Sequence, residues 1–219
     1  MPLGRVACWK KKDMSAQHLD GPPQARQPSD SGHRNIVLVG LMGAGKSCIG
    51  RRLANRLGVE FLDADVEIEK AAGCSIQEIF DAHGEEAFRD GERRVIERLL
   101  GDGPRVIATG GGAFMDPRTR EAIGNLAVSV WLRADLDLLV RRTARRHHRP
   151  LLRRGKPREI LSDLMELRYP VYAEADLVVD SQDGPPEETV NRVMTALRGA
   201  GALPAPVASG AAMEQRDGA

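Results

Sequence analysis

One short stretch of the sequence has the residue types and spacing of a phosphate-binding loop. It reads Gly40-Leu-Met-Gly-Ala-Gly-Lys46-Ser47, after an apolar run at 35–39 and before an amphipathic stretch at 48–57. In such a strand–loop–helix unit the backbone N–H groups point at phosphate oxygens beside the positive end of the helix. Lys46 can reach the β- and γ-phosphates, and the Ser47 hydroxyl can bind Mg²⁺. The alternative is a chance glycine-rich turn, but its position between strand and helix favours a nucleotide site.

Two carboxylates, Asp63 and Asp65, follow a second apolar run at 59–62. If both residues were extended, their side chains would point to the same side. They could then serve Mg²⁺ through its water shell and accept a proton from a substrate hydroxyl. The alternative is that one of them caps the helix predicted from Val66. Because a helix needs only one cap, we expect a functional role for the pair.

Three further features are ambiguous from the residues alone. The glycines at 110–112 follow an apolar strand, where they could let a ligand approach the backbone, or they are simply a flexible linker. Arg89 and Arg168 have the pattern of ordinary solvated charges. The segment 141–158 has nine Arg/Lys residues and no acid, which fits a nucleic-acid surface, a solvated helix face or a flap over a triphosphate. The absence of acid favours an anionic partner, and the phosphate-binding loop indicates ATP.

The composition excludes several classes of function. With 32 basic and 31 acidic residues in 219, the chain has no excess charge to attract nucleic acid or an anionic membrane. Eight aromatic residues are few for base stacking. No apolar run is long enough to span a bilayer. Three scattered cysteines, Cys8, Cys48 and Cys74, show no metal-site or disulfide spacing, which favours a reducing, cytoplasmic location.

The pattern along the chain predicts one α/β domain between two loose ends. Residues 1–33 lack periodicity and are expected to be disordered, as is the tail at 199–219, which leaves a folded unit at 34–198. The predicted strands are 35–39, 59–62, 105–109, 127–132 and 176–180. The predicted helices are 48–57, 66–72, 75–83, 85–100, 135–146, 159–169 and one starting near 185. Alternating apolar strands and helices predict a parallel sheet covered on both faces, with ligands beyond the strand carboxyl ends.

Taken together, the motifs resemble those of the shikimate kinases over about residues 35–198. The segments that carry the resemblance are Gly40–Ser47, Phe61-Leu-Asp-Ala-Asp65 with Ile68-Glu69, Ser75-Ile-Gln-Glu-Ile-Phe80, Gly84-Glu-Glu-Ala-Phe-Arg89, Gly110–Gly112, Arg149-Pro-Leu-Leu152 and Arg168-Tyr-Pro-Val-Tyr172. The resemblance implies ATP-dependent phosphorylation of the 3-hydroxyl of shikimate, on the route to aromatic amino acids. It also implies a three-layer P-loop kinase fold like that of the nucleoside monophosphate kinases, with a five-stranded parallel sheet in the order 2-3-1-4-5.

The resemblance also assigns roles to individual residues. The shikimate ligands it implies are Asp65, Arg89, Gly111 and Arg168, with Asp65 at the reacting hydroxyl and the two arginines at the carboxylate. The ATP ligands it implies are Gly43, Ala44, Gly45, Lys46, Ser47, Cys48, Arg142 and Arg149. Catalysis would rest on Asp65, Lys46 and Arg149, the last on a flap at about 147–158. Ser47 would ligate Mg²⁺ directly, and Asp63 would act on it through the water shell.

Some properties are outside what these motifs indicate. Cys48 stands where many P-loops of this family have Thr, and the residues that hold adenine, near 180–186, have no clear pattern. We expect a monomer that binds shikimate and ATP, without a nucleic-acid or membrane partner. The rival functions are another small-molecule or nucleotide P-loop kinase, a GTPase switch and a non-catalytic ATP sensor. A GTPase would need an Asn-Lys-x-Asp guanine-binding motif, which the sequence lacks.

Overall fold

A five-stranded, wholly parallel sheet forms the centre of the molecule. The computed structural model describes residues 34–144 and 156–203. The strands are β1 (Asn35–Val39), β2 (Glu60–Asp63), β3 (Arg105–Ala108), β4 (Ala127–Arg133) and β5 (Leu177–Asp180). They lie in the order β2-β3-β1-β4-β5, so the predicted order is confirmed. Every residue of β1 is buried, as expected for the central strand of a covered parallel sheet.

Helices cover both faces of this sheet. They are α1 (Lys46–Leu57), α2 (Ala64–Ala72), α3 (Ile76–Gly101), α4 (Pro117–Leu126), α5 (Leu136–Ala144), α6 (Pro157–Tyr172) and α7 (Pro186–Gly199), with a 3₁₀ turn at Ala113–Met115. Helices α1 and α7 pack together on one side, and α3 and α4 pack together on the other. This is the predicted three-layer arrangement, in which each helix buries one apolar stripe against the sheet.

Helix α3 contains the two helices that the sequence predicts. It begins with a capping box, in which the Ser75 side chain accepts from the Glu78 N–H and the Glu78 carboxylate accepts from the Ser75 N–H. Gly84 interrupts the helix with φ 81° and ψ −179°, a backbone conformation that is essentially restricted to glycine. The break separates the first two turns from the longer part, which carries Arg89 and Glu92.

A buried asparagine lies where the strands of the sheet begin, and its side chain hydrogen-bonds to neighbouring elements. Asn35 Nδ2 donates to the carbonyl oxygens of Leu100 and Leu126 at 2.8 and 3.3 Å, and its Oδ1 accepts from the Arg105 N–H at 3.0 Å. The side chain therefore ties β1 to the ends of α3 and α4 and to the start of β3. These three bonds use most of the hydrogen-bonding capacity of the side-chain amide, so this end of the sheet has little capacity left for a ligand.

Several predicted boundaries differ from the structure. Pro157 and Arg158, the end of the predicted flap, form the first turn of α6, and Arg158 pairs with Asp137 of α5 at 2.6 Å. Residues 147–155 of the flap lie outside the described part of the chain, as do 1–33 and 204–219. At the other end, Leu203 is buried, so the folded part continues beyond 198.

Two findings bear on the cysteines and on membranes. Cys48 is free, whereas Cys74 is disulfide-bonded, which the spacing of the cysteines does not indicate. Within 34–144 and 156–203, no helix has the length and apolar character needed to cross a bilayer.

The close contact between α1 and β2 predicts how a substitution at Gly50 changes the free energy of unfolding. A Cβ on Gly50 would stand 2.5 Å from the Phe61 ring and 3.2 Å from Leu38 Cδ1. We expect Gly50→Ala to lower the free energy of unfolding by about 1–2 kcal/mol, because overpacking outweighs the helix propensity gained. Gly124→Ala is the matched control, since a Cβ there meets nothing within 4 Å in α4. Urea denaturation of both variants measures the effect, and equal stability of the two would contradict this packing.

Candidate active site

The phosphate-binding loop connects β1 to α1, as the sequence predicts. Gly40, Gly43 and Gly45 all have positive φ angles, 139°, 88° and 100°. A Cβ on Gly40 would also stand 2.8 Å from the Leu132 carbonyl oxygen, so this position requires glycine for space as well as conformation. The loop thereby turns tightly against the end of β4 and enters α1 at Lys46.

The start of α1 is arranged to receive an anion. Gly45 has no side chain that could cap α1, and the first turn of α1 contains no acidic residue. The N–H groups of this turn are therefore not bound by a carboxylate of the same turn. Such a terminus carries a partial positive charge and free donors, which favour phosphate. Lys46 Nζ donates to the carbonyl oxygens of Gly40 and Leu41 at 2.7 and 3.1 Å, which places the ammonium group against the loop.

Asp63 connects this loop to the next element of the site. Its Oδ2 accepts from the Ser47 hydroxyl at 2.6 Å, and its Oδ1 accepts from the Asp65 N–H at 3.2 Å. Asp63 therefore caps α2, which was one of the two alternatives considered for it, and its other oxygen contacts the phosphate-binding loop. The expectation that Asp63 and Asp65 are both extended is wrong, because Asp65 lies in the first turn of α2.

The residues at Ser47 suit a magnesium ion. A hydroxyl and a carboxylate are hard oxygen donors, and Mg²⁺ in kinases takes one or two protein oxygens together with phosphates and water. Across 34–144 and 156–203 there is no cluster of three or more His, Cys, Asp or Glu residues that could hold a metal without such help. The donor set therefore fits an ion that arrives with a nucleotide.

Arg142 joins the phosphate-binding loop to the segment that follows β5. Its Nη1 donates to Ser181 Oγ at 2.9 Å, and its Nη2 donates to the Gln182 carbonyl at 2.7 Å. Ser181 in turn donates to the Ala44 carbonyl at 2.9 Å. The structure thus brings the region near 180–186, which had no clear sequence pattern, against the loop at 43–45.

The glycines after β3 leave room for side chains from three helices. A Cβ on Gly110 would stand 2.7 Å from Asp65 Oδ1, one on Gly111 would stand 3.2 Å from Arg168 Nη1, and one on Gly112 would stand 2.5 Å from both Nη atoms of Arg89. Real Cβ atoms essentially never come as close as the first and third of these distances, and the second is tighter than most. Asp65 of α2, Arg89 of α3 and Arg168 of α6 therefore approach one stretch of backbone, residues 110–112, that has no side chains of its own.

Arg89 is held by acidic residues of its own helix. Its Nη1 donates to Glu92 at 2.6 Å and its Nη2 to Glu85 at 3.3 Å. Burial alone would lower the pKa of Arg89, but these two carboxylates raise it overall. Glu92 is 2% exposed, and burial raises its pKa, while Arg89 acts in the opposite direction. The guanidinium is therefore a fixed positive charge beside Gly112.

Arg168 has an unused donor at the same place. Its Nη1 donates to the Gly111 carbonyl at 2.9 Å, a carbonyl that also accepts from the Tyr172 hydroxyl. Its Nε is buried and, within the described residues, has no hydrogen-bond partner. An unpaired N–H on a buried cation is costly. The arrangement is suited to a ligand with an acceptor oxygen, preferably an anionic one.

The structure brings together most of the predicted site residues. Asp65, Arg89, Gly111 and Arg168 form one cluster, which we call the acceptor cluster, and the loop at 43–47 lies with Arg142 and Asp63 on the same sheet edge. Cys48 follows in α1, where its Sγ accepts from Arg52 at 3.0 Å. Arg149 lies outside the described residues.

Sequence reasoning missed two residues of this region, Glu92 and Ser181. A signal existed for Glu92, because it falls on the same helical stripe as Phe88, Val95 and Leu99, where a carboxylate is unexpected. Ser181 gave no such signal.

A phosphate-binding loop after the first strand of a 2-3-1-4-5 parallel sheet, with a second polar cluster beside it, defines a P-loop kinase. The family model described as "Shikimate kinase" matches residues 42–198. The shikimate kinase of Paramagnetospirillum magneticum is 64% identical over 75% of this chain and 84% of its own length, and that of Rhodopseudomonas palustris is 52% identical over 80% and 87%. The chain belongs to the shikimate kinase family.

Solved structures agree with this assignment. Shikimate kinase from Acinetobacter baumannii, in complex with shikimate, superposes with a TM-score of 0.74 at 37% identity, over 78% of this chain and 96% of that one. The enzyme from Aquifex aeolicus gives 0.67 at 34% identity, over 76% and 97%. A gluconokinase from Sinorhizobium meliloti, at 19% identity and a TM-score of 0.53, shares the fold alone. Family membership makes the protein a kinase that phosphorylates shikimate in aromatic biosynthesis.

The lack of space for a side chain at Gly112 predicts that a substitution there weakens the binding of shikimate. Its φ and ψ, −98° and −18°, suit alanine, so the backbone tolerates Gly112→Ala, but the added methyl group must displace the Arg89 guanidinium. We expect the KM for shikimate to rise by roughly 10-fold, the loss of about one charged hydrogen bond, with the KM for ATP unchanged. Gly101→Ala, where a Cβ meets nothing within 4 Å, is the control. Steady-state kinetics with both substrates decide, and an unaltered shikimate KM would show that the Arg89 position does not matter.

Proposed function

We propose that the protein transfers the γ-phosphoryl group of ATP to the 3-hydroxyl of shikimate, with ATP at the loop 43–48 and shikimate on the acceptor cluster. The kinase domain is placed at about 34–198, the part of the chain that carries both groups of residues. One observation carries the assignment of the acceptor: the buried Nε of Arg168, without a partner in the described residues, beside Gly111 and close to a second arginine, Arg89.

Two arginines at one place require an anion. Arg89 already has two carboxylates from its own helix, but within the described residues Arg168 hydrogen-bonds only to neutral groups, the Gly111 carbonyl and the Tyr172 phenol. A carboxylate on the acceptor would take the unused Nε and complete the charge balance. A guanidinium offers parallel donors that match the two oxygens of a carboxylate. Shikimate has one carboxylate, on a ring whose hydroxyl groups can reach other parts of the cluster.

Asp65 is the residue proposed to receive the acceptor hydroxyl. Its carboxylate stands against Gly110, at the beginning of α2 and between the Arg89 region and the phosphate-binding loop. From there it can orient the hydroxyl toward the γ-phosphate and accept its proton as the bond to phosphorus forms. Asp63 fixes the start of α2 by accepting from the Asp65 N–H. The backbone of Asp65 is therefore fixed where α2 begins.

The residues proposed for ATP are Gly43, Ala44, Gly45, Lys46, Ser47, Cys48, Arg142 and Arg149. Lys46 and the N–H groups at the start of α1 would balance charge on the β- and γ-phosphates, which is the main catalytic requirement of phosphoryl transfer. Arg142 is already fixed beside the loop by Ser181 and Gln182. Arg149 is assigned here only by its motif, as part of a segment that would close over ATP and exclude water.

Magnesium is the proposed cofactor, with Ser47 as its ligand and Asp63 acting through its water shell. The hydroxyl–carboxylate contact of 2.6 Å shows that the two side chains are close enough to serve one ion. When bound, Mg²⁺ neutralises charge on the transferring phosphate.

We further propose a monomer in the cytoplasm. The requirement for ATP supports the location.

The direct test of the acceptor assignment compares shikimate with the analogue in which its carboxylate is a neutral amide. With purified protein and saturating MgATP, we expect the amide to be a poor substrate, because it leaves the arginines without their anion. Arg168→Lys should raise the KM for shikimate by roughly 10- to 100-fold, since hydrogen bonds between charged groups contribute about 1.5–3 kcal/mol. Its ATP KM should stay constant.

The control for Arg168→Lys is Arg98→Lys, the same change on the exposed side of α3. Equal use of the amide and of shikimate would exclude the carboxylate site and, with it, the assignment of Arg168.

A second prediction concerns Asp65. Asp65→Asn keeps the size of the side chain but removes its negative charge, so kcat should fall by roughly 10²- to 10⁴-fold, the usual contribution of a general base. Asp163→Asn, on the exposed surface of α6, is the matched control. Turnover measured at saturating shikimate and ATP separates this effect from weaker binding. Full activity of Asp65→Asn would move the base to another residue, with Asp63 the first to examine.

A further inference from the structure

The carbonyl of Gly111 accepts hydrogen bonds from two side chains of the same helix. Arg168 Nη1 donates to it at 2.9 Å, and the hydroxyl of Tyr172, one turn later in α6, donates to it as well. A carbonyl oxygen has two lone pairs, so both are used. This peptide is therefore attached to α6 at the place where β3 ends and the acceptor cluster begins.

The phenol of Tyr172 has little freedom to adopt another position. Its side chain is 0% exposed. Three aromatic rings surround it, those of Trp131, Tyr169 and Phe114, with centroid distances of 6.0, 6.2 and 6.5 Å. Burial raises the pKa of Tyr172 to about 12, although Arg168 acts in the opposite direction. The hydroxyl thus remains a neutral donor throughout the physiological pH range.

The contact also affects Arg168. The bond from Nη1 to the Gly111 carbonyl restricts the orientation of the guanidinium, and with it the direction of the unpartnered Nε. The carbonyl can hold Nη1 there only if it is itself held. Gly111 has no side chain to anchor it, and both neighbours are glycines. The hydroxyl of Tyr172 supplies the second point of attachment.

We propose that Tyr172 is a positioning residue for the acceptor: its hydroxyl fixes the Gly111 carbonyl, which in turn holds Arg168 in the orientation that binds the acceptor carboxylate. This inference rests on the proposed roles of Gly111 and Arg168. It assigns Tyr172 a function in the choice of acceptor, beyond its contribution to the core.

The chain offers a matched control in Tyr169. This tyrosine lies three residues earlier in α6, packs against the same Trp131 ring with a centroid distance of 4.8 Å, and donates to the carbonyl of Ala134 rather than to Gly111. Replacement of either tyrosine by phenylalanine keeps the ring and removes one hydroxyl from a backbone carbonyl. The two variants therefore differ mainly in which carbonyl loses its donor.

The experiment measures KM for shikimate, KM for ATP, kcat and the melting temperature for Tyr172→Phe, Tyr169→Phe and Arg168→Lys. For Tyr172→Phe we expect the shikimate KM to rise by roughly 3- to 10-fold, the loss of about one hydrogen bond. The ATP KM and the kcat at saturating shikimate should stay within about 2-fold, and Tyr169→Phe should leave the shikimate KM unchanged. Thermal unfolding verifies that each variant is folded at the assay temperature.

The outcomes separate this inference from the site on which it rests. If Arg168→Lys raises the shikimate KM and Tyr172→Phe does not, the positioning role of Tyr172 is overturned and the acceptor site stands. If neither Arg168→Lys nor Tyr172→Phe alters the KM for shikimate, the acceptor site itself is overturned. A parallel rise of both KM values in Tyr172→Phe, or an equal effect of Tyr169→Phe, would show a purely structural role.

Discussion

The close approach of Asp65, Arg89 and Arg168 to the chain after β3 depends on three consecutive positions without a Cβ atom. Each glycine of 110–112 faces a different one of these charged groups, at a distance where an added methyl group would force the charged side chain to shift. The constraint explains why side chains from α2, α3 and α6 can converge on one stretch of backbone. A single larger residue there would separate the proposed base from the arginines, or one arginine from the other, without altering the sheet.

The amino-terminal and carboxyl-terminal ends of the strands differ in whether nearby polar groups find hydrogen-bond partners within the protein. At the amino-terminal end, the Asn35 side chain makes three hydrogen bonds within the protein and connects two helices to two strands. At the carboxyl-terminal end, the first turn of α1 has no side-chain cap, and Arg168 retains a buried donor without a partner in the described residues. Folding thus stabilises one end internally and leaves donors at the other for phosphate and carboxylate. The same end of parallel strands is where ligands of such folds bind.

Much of this arrangement could be predicted from local pattern. The apolar strands, the P-loop and the break near Gly84 follow from periodicity, glycine spacing and a capping box, all of which act over a few residues. The strand order came from family resemblance, because local pattern does not specify which strands are neighbours. The sequence alone left the role of Asp63 open between a helix cap and a functional carboxylate. In the structure its two oxygens have different partners, one 16 residues away in the chain and one only two, and the nearer one makes it the cap of α2.

The remainder depended on contacts between distant parts of the chain. Ser181 meets Ala44 from 137 positions away, and the Tyr172 hydroxyl reaches Gly111 across 61, so neither side chain has a local pattern that reveals its partner. Glu92 is different. Its place on an apolar helical stripe, three residues after Arg89, could have indicated a buried ion pair. The extended conformation considered for Asp65 does not occur, because the strand that ends at Asp63 passes into α2 without an intervening loop.

The central claim is that the loop at 43–48 and the acceptor cluster together phosphorylate shikimate. The most direct measurement is release of ADP by the purified full-length protein with MgATP, in the absence of acceptor, with shikimate and with gluconate, a different polyol that also bears one carboxylate. Rapid ADP release with shikimate alone, matched by formation of one phosphorylated product per ADP, is the expected result. Release that is independent of the acceptor, or that is faster with gluconate than with shikimate, would contradict the claim.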